Sequence, residues 1–289
     1  MTFSLITDSA ANLTTQLIKA NDIKVVSLSY NVGGKEYLGY IEGEETDYKA
    51  FYEMLRSKEK VQTSLVNYET CKNTIKKELD SGNDVLYISF SSALSGSYLV
   101  AKNVAEDLQE EYTDRKIIVI DSLCASFGQG LLMYYAAKKR AEGLSVEETA
   151  KWVEDNKLNL VHLFTVDDLF FLKRGGRLSG STALVGSLLN IKPLLHVDNQ
   201  GKLVMTGKVR GRRVSLDAMI QRMGEVGTDL SSQHIFIGHG DCIEDAEYVE
   251  KQVKKLYKVK NVTINYIDSV IAAHSGPGTL AIFFMGTER

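Results

Sequence analysis

Short runs of apolar residues alternate with amphipathic stretches through the first half of the chain. The apolar runs are nearly continuous, which is typical of strands that are buried on both faces of a sheet. Four strands are predicted in this way, at Phe3–Thr7, Ile23–Leu28, Val85–Phe90 and Ile117–Asp121. Helices are predicted at Asn67–Leu79 and at Ser126–Glu142, with Gly143 ending the second and a capping box at Ser145-Val-Glu-Glu148 starting another. Strands that alternate with helices favour a parallel sheet with right-handed crossovers.

The pattern changes from about Val161, where strands follow one another more directly. Further strands are predicted at Val161–Thr165, Ile191–Val197, Leu203–Val209, Ile235–His239, Val262–Ile267 and Thr279–Met285, with helices at Arg212–Val226 and Asp245–Tyr257. The turn Asn199-Gln-Gly201 indicates an antiparallel hairpin, and a mixed sheet with helices on one side fits the order. We therefore predict an α/β fold of two domains. Residues 1–157 form an N-terminal three-layer parallel-sheet domain and residues 158–289 a C-terminal mixed-sheet α/β domain.

Composition narrows the classes of function. The 289 residues are 44% hydrophobic and 25% charged, which is typical of a globular protein and excludes dominant disorder. A formal net charge of −3 counts against a general nucleic-acid binder. The three cysteines lie far apart and show no metal-ligand spacing, so we expect a reducing compartment, no metal and no cofactor. The N-terminus does not have the pattern of a signal peptide and no apolar run is long enough to cross a bilayer. These features predict a cytoplasmic protein without integral membrane association.

Polar clusters of small residues follow several predicted strands, which is where open parallel sheets bind ligands. They are Thr7-Asp8-Ser9, Ser89–Ser97, Asp121-Ser122 and His274–Thr279, and Thr63-Ser64 lies in a predicted loop before the helix that starts near Asn67. Ser95 and Ser97 can donate hydrogen bonds, and Gly96 between them allows close backbone approach to a ligand. The alternative for each hydroxyl, including Thr63 and Ser64, is helix capping, and for Asp8 it is a turn. Hydroxyls with few charges suit a small anion.

Two basic runs and one histidine are further candidates. Lys173–Arg177 contains two adjacent glycines that could aim Arg177 at a carboxylate or phosphate, the alternative being a solvated turn. Lys208–Arg213 is either a solvated strand end or a partner contact. His274 is predicted in a turn of glycine, serine and proline. With Ser95 and Asp8 it could form a Ser–His–Asp set, but the GxSxG elbow of such hydrolases is missing, as are the phosphate-binding loops of nucleotide sites.

Taken together, these clusters resemble the DegV family of fatty-acid-binding proteins, and the resemblance extends over nearly the whole chain. Its landmarks are Leu5–Ser9, Gln62–Ser64, Ser91–Tyr98, Ile120–Ser122, Ser126–Leu131, Leu172–Arg177, Leu188–Pro193, Val209-Arg210 and His274–Thr279. Two departures occur: Leu65-Val66 stands where the family commonly has Gln-Pro, and Ser97 stands where a threonine is usual.

The resemblance implies a carrier protein with a long-chain fatty acid buried between its two domains. Thr63 and Ser95 match the family residues that hold the carboxylate, and Arg177 and His274 match the polar network around it. Ser64, Gly96, Ser97 and Thr279 complete the expected binding set. The partner implied is the catalytic subunit of a fatty acid kinase, which would phosphorylate the bound carboxylate to an acyl phosphate for phospholipid metabolism. Arg210 matches a family arginine associated with that encounter. The alternative is a serine-dependent lipid-ester hydrolase that uses Ser95 and His274.

Overall fold

A computed structural model describes residues 3–179 and 190–289 of the chain. The landmark Leu188–Pro193 therefore lies partly outside the described residues. The strands are β1 (Phe3–Asp8), β2 (Ile23–Val26), β3 (Ser29–Val32), β4 (Lys35–Leu38), β5 (Val61–Ser64), β6 (Asp84–Ser89), β7 (Ile117–Asp121), β8 (Leu160–Thr165), β9 (Ile191–Val197), β10 (Leu203–Arg210), β11 (His234–His239), β12 (Asn261–Tyr266) and β13 (Leu280–Met285). The helices are α1 (Thr15–Ala20), α2 (Tyr48–Arg56), α3 (Tyr68–Asp80), α4 (Ser97–Glu111), α5 (Phe127–Ala141), α6 (Val146–Asn156), α7 (Leu169–Arg174), α8 (Arg212–Val226), α9 (Ile243–Tyr257) and α10 (Ser269–Ser275).

The contacts divide the chain into two units. Unit 1 comprises the described residues of Met1–Thr46 and Val61–Lys157, and unit 2 those of Asp47–Lys60 and Leu158–Arg289. Among the described residues, every helix is too short or too polar to cross a membrane.

The larger sheet of unit 1 is parallel, with the strand order β2-β1-β6-β7. Every residue of the two central strands is buried, although side chains alternate between the faces of a strand, so both faces of the sheet are covered. Helix α3 packs on α4, and α5 packs on α6. The predicted three-layer parallel-sheet region is confirmed.

Sequence signals at the helix ends of unit 1 behave as predicted. Asn67 caps α3 by accepting a hydrogen bond from the backbone N–H of Thr70 at 3.0 Å. Ser145 and Glu148 form the complete capping box at the start of α6. Gly143 follows α5 with a φ of 94°, a left-handed conformation that favours glycine.

A second sheet in unit 1 was not predicted. Strands β4, β3 and β5 form an antiparallel sheet in that order. Its hairpin turns at Gly33 and Gly34, both with positive φ, and all four residues of β4 are exposed. The prediction of a loop at Thr63-Ser64 is wrong, because both residues lie on β5, with Thr63 opposite Tyr30.

Unit 2 contains a mixed sheet with the strand order β10-β9-β8-β13-β11-β12, in which only the neighbours β11 and β12 are parallel among the described pairs. The predicted hairpin of β9 and β10 is present, closed by a hydrogen bond from Gly201 N–H to the Asp198 carbonyl. Helices α8 and α9 pack on the sheet through one apolar cluster that includes Leu216, Val249 and Phe284. The predicted mixed-sheet region is confirmed.

The structure differs from the predicted domain ranges in one segment. Residues Asp47–Lys60, which contain α2, belong to unit 2 although they lie within the range predicted for the first domain. The Tyr52 hydroxyl donates to the Ile267 carbonyl at 2.9 Å, Tyr48 stacks on Tyr266, and Arg56 forms an ion pair with Asp241 at 2.6 Å. These contacts join residues far apart in the sequence, so local patterns did not indicate them.

Candidate functional site

Ser95, Gly96 and Ser97 form the turn that leads into α4. The Ser95 hydroxyl oxygen accepts a hydrogen bond from the Ser97 backbone N–H at 3.2 Å and lies 2.9 Å from the Ser97 hydroxyl oxygen. Ser97 is fully buried, whereas Ser95 is half-buried. When Ser97 donates its hydroxyl proton to Ser95, the proton of Ser95 is directed away from the pair. Ser95 can then donate to an anion.

The β5 segment lies against this turn. The Ser97 hydroxyl oxygen accepts a hydrogen bond from the Val66 backbone N–H at 3.3 Å, three residues after Thr63. Thr63 is half-buried and Ser64 is exposed. Unit 1 thus brings Val66, which follows β5, against the Ser95–Ser97 turn. That Thr63 and Ser95 share a head-group site stays a prediction from the family resemblance.

Gly96 has a packing role that the sequence analysis missed. Its φ of −73° is available to any residue, but an added Cβ would lie 3.0 Å from the side chain of Leu65. A larger residue here would require the exposed Leu65 side chain to shift by a few tenths of an ångström. Asn67 caps α3, and the N-cap residue of α4, Gly96, has no side chain to cap with. The Ser95 hydroxyl instead accepts from the N–H of Ser97, the first residue of α4, so the capping alternative applies in part to Ser95.

In unit 2, the Gly-Gly pair shapes the chain around His274. A Cβ on Gly175 would collide with His274 Nδ1, and Gly176 adopts a φ of 69°. Arg177 donates a hydrogen bond to the Gly175 carbonyl, so its guanidinium is held beside this turn. The two adjacent glycines were the sequence signal for the turn, but they did not indicate its contact with His274.

His274 is helical, because it lies near the C-terminal end of α10, so the prediction that it belongs to a non-helical turn is wrong. Helix α10 begins because Asp268 accepts hydrogen bonds from the N–H groups of Val270 and Ile271, a cap that the sequence analysis overlooked. Burial, and then the charges of Arg177 and Arg174, lower the pKa of His274 to about 4. The imidazole is therefore neutral at pH 7 and is a poor general base there, which counts against the hydrolase alternative.

The Thr279 hydroxyl is bonded to the backbone of the turn that precedes β13. This buried hydroxyl contacts the carbonyl oxygens of Ser275 and Gly276 at 2.9 and 2.8 Å. The hydroxyl proton is directed to these backbone acceptors, which close the turn between α10 and β13. That Thr279 also contacts a ligand stays a prediction from the family resemblance.

The basic run at the end of β10 divides into two parts. Arg212 forms an ion pair with Asp245 at 2.8 Å, and the guanidinium of Arg213 lies 3.4 Å from the centre of the Tyr248 ring. Arg210 is the last residue of β10 and is exposed, as is Lys208, which shares its face of the strand.

Comparison with known proteins covers the whole chain. The sequence model of the DegV family, described as "Uncharacterised protein, DegV family", matches residues 2–287. A DegV domain-containing protein of Clostridium perfringens is 43% identical over 287 residues, which cover 99% of this chain and 98% of the relative. The chain belongs to the DegV family.

Solved structures of DegV proteins share the fold. DegV of Bacillus subtilis, described as a fatty acid binding protein, is 29% identical with a TM-score of 0.82, covering 99% of this chain and 100% of that one. A stearic-acid-binding protein of Eubacterium ventriosum is 26% identical with a TM-score of 0.84, covering 98% of each chain.

Proposed function

We propose that this DegV protein binds a long-chain fatty acid. The observation that carries the proposal is the likeness, over nearly the full length, to the Bacillus subtilis and Eubacterium ventriosum proteins, which are described as fatty-acid and stearic-acid binders. That the acyl chain lies between the two domains stays a prediction from the family resemblance.

The head group is assigned to Thr63 and Ser95, with Arg177 and His274 in the surrounding polar network. A buried carboxylate needs hydrogen-bond donors and a compensating cation, since burying it without them is strongly unfavourable. The Ser95 hydroxyl, when Ser97 donates to it, can supply a donor, and the guanidinium of Arg177 can supply the cation. The acyl chain supplies affinity, because about fourteen buried methylenes contribute roughly 11 kcal/mol before the cost of association.

The protein acts as a carrier and has no catalytic turnover of its own in this proposal. It presents the carboxylate to the catalytic subunit of a fatty acid kinase in the cytoplasm, and that partner forms the acyl phosphate for phospholipid metabolism. The exposed Arg210 at the end of β10 supports a role in partner docking, because an exposed cation can act on an acidic surface without touching the acyl chain.

Lipid extraction under denaturing conditions, followed by mass spectrometry, tests the proposal. We expect about one equivalent of long-chain fatty acid per chain from protein purified without added lipid or after loading with palmitate. Labelling of Ser95 by a serine-reactive phosphonate, together with ester turnover, would instead support the hydrolase. Absence of bound acid after loading would refute fatty-acid binding.

A further inference from the structure

The side chain of Asp8 is completely buried at the end of β1, beside the carboxyl end of β6. One carboxylate oxygen accepts hydrogen bonds from the Ala10 N–H at 3.2 Å and from Gln129 Nε2 at 3.1 Å. The other accepts from the Phe90 N–H at 2.9 Å and from the Ser89 hydroxyl at 3.2 Å. The bond to Ala10 is the turn considered in the sequence analysis, but the other three bonds reach β6 and α5.

The bond to Phe90 holds the start of the segment that carries Ser95. Phe90 is the first residue after β6, and the Ser91 N–H donates to the Cys124 carbonyl at 3.1 Å. The Ser91 carbonyl in turn accepts from the Ser95 N–H at 3.1 Å. Asp8 is therefore connected to the Ser95 backbone through two hydrogen bonds and one peptide link.

All four groups around Asp8 present a proton to it, so the arrangement suits an ionised carboxylate. The N–H groups of Ala10, Phe90 and Gln129 cannot accept in return, so a protonated Asp8 could donate only to the Ser89 hydroxyl, which would have to turn, and it would lose an acceptor site. Burial raises the pKa of Asp8 to about 6, and the four hydrogen bonds oppose that rise. Burial, and next the charge of Asp8, also raise the pKa values of Tyr87 on β6 and Cys71 on α3, so both stay protonated while Asp8 titrates.

We infer that Asp8 is a positioning residue for the acyl head group: as a carboxylate it fixes Phe90 and, through Ser91, the backbone of Ser95. The inference rests on the proposed function, because it assigns Ser95 to the carboxylate of a fatty acid. It implies that the protein retains fatty acid less well when Asp8 gains a proton, below about pH 6. His274 titrates near pH 4 and does not account for a change above pH 5.

Palmitate binding by the full-length Asp8→Asn protein tests the inference. The amide resembles the protonated carboxyl, so we expect about tenfold weaker binding than wild type at pH 8, a loss typical of one unsatisfied buried group. The ratio of the two dissociation constants should approach one at pH 5. Titration of the ligand affects both proteins equally and cancels in this ratio. The matched control is Asp84→Asn, a buried aspartate at the other end of β6 that accepts from the Lys116 N–H, and it should bind like wild type throughout.

Two further measurements separate positioning from general damage to the fold. Gln129→Leu removes a donor that stabilises the ionised form, so the pH at which retention is half lost should rise above the wild-type value. Hydrogen exchange at the Ser95 amide, corrected for its intrinsic rate, should be faster in Asp8→Asn than in wild type at pH 8, with or without ligand. Equal affinity at pH 8, a ratio independent of pH or equal Ser95 protection would overturn the inference. If wild type binds no palmitate at any pH, the proposed function fails, while the exchange data still decide whether Asp8 positions Ser95.

Discussion

Each unit buries groups that titrate between about pH 4 and 6, a carboxyl in unit 1 and imidazoles in unit 2. In unit 1, burial raises the pKa of the Asp8 carboxyl to about 6. In unit 2, burial lowers the pKa values of His239 and His274 to about 4. Both environments favour the uncharged form, which an acid reaches by gaining a proton and a base by losing one. Lowering the pH should therefore shift the stabilities contributed by the two sets of groups in opposite directions.

At neutral pH the buried carboxylate of unit 1 is charged, whereas the two buried histidines of unit 2 are neutral. At pH 7 Asp8 is mostly ionised despite complete burial, because hydrogen bonds from Phe90, Gln129 and Ser89 stabilise the charge. His239 needs no charge, since its Nδ1 accepts a hydrogen bond from the Cys242 N–H at 3.3 Å. Burying the charged Asp8 lowers stability, and Asp8 is the group connected to the Ser95 segment. A residue that is kept at the expense of stability is expected to have a functional role.

The largest expected effect is acid destabilisation of unit 2. The folded-state pKa values of His239 and His274 lie below the unfolded value of 6.5, so the unfolded chain binds protons that the folded chain does not between about pH 4 and 6.5. Stability falls as the pH falls through this window, by about 3 kcal/mol for each histidine when the window is crossed completely. Hydrogen exchange of the β11 and β13 amides, corrected for intrinsic rates, measures this loss of stability.

The control for this prediction is His239→Asn, which keeps an acceptor near the position of Nδ1 but does not titrate. The pH dependence of the protection of β11 should be smaller in this variant than in wild type. Protection of β11 and β13 that stays constant in wild type between pH 6.5 and 4.5 would contradict the prediction.

The second prediction concerns unit 1, where the contribution of Asp8 to stability changes with pH in the opposite direction. The folded pKa of Asp8 lies above its unfolded value of 3.8, so the folded chain binds the extra proton between about pH 4 and 6. The contribution of Asp8 to stability therefore rises by about 3 kcal/mol as the pH falls from 6 to 4. Trp152, the single tryptophan, lies on α6 of unit 1, and its fluorescence during urea unfolding reports this unit.

Comparison with Asp8→Asn isolates this contribution from other titrating groups. The wild-type unfolding free energy minus that of the variant should increase as the pH is lowered from 6 to 4. A difference that stays constant between pH 6 and pH 4 would show that burial does not raise the pKa of Asp8. Retention of fatty acid should fall over the same range in which this contribution rises, so loss of ligand would not reflect unfolding of unit 1.

Local patterns predicted the two kinds of sheet because their strands are marked by continuous or alternating apolar residues. They missed β4, whose residues Lys35–Leu38 are all exposed and carry no apolar alternation. They also missed the placement of α2 in unit 2, which depends on contacts such as that of Tyr52 with Ile267, more than two hundred residues away.

In the candidate site, too, groups of adjacent residues could be recognised from the sequence, whereas contacts between distant residues could not. The hydroxyl-rich turn at Ser95–Ser97 was visible in the sequence because its residues are adjacent. The contact of Gly175 with His274, and the bond from Phe90 to Asp8, join residues that are far apart and have no common local pattern. Only the family resemblance grouped Arg177 with His274, and it could not indicate that His274 lies on a helix.

The third prediction tests whether the hydroxyls of unit 1 act on the ligand rather than on the fold. We expect Ser95→Ala and Thr63→Ala each to weaken fatty-acid retention by about tenfold, since each leaves a buried carboxylate with one donor fewer. The urea transition followed by Trp152 should change little. Ser92→Ala is the matched control, because Ser92 lies in the same segment and is exposed. Wild-type retention in the double variant would show that the head group lies elsewhere.

The smallest expected effect concerns the exposed charge of unit 2, in contrast to its buried histidines. Arg210 lies at the exposed end of β10, so Arg210→Ala should leave fatty-acid retention unchanged. If Arg210 meets an acidic surface of the kinase, the variant should slow acyl-phosphate formation several-fold at low salt, and the difference from wild type should shrink as salt screens the contact. Lys255→Ala, which removes one exposed charge from α9, provides the control and should match wild type. Lost retention in Arg210→Ala would place this residue at the ligand, and wild-type behaviour in both assays would make it a solvated strand end.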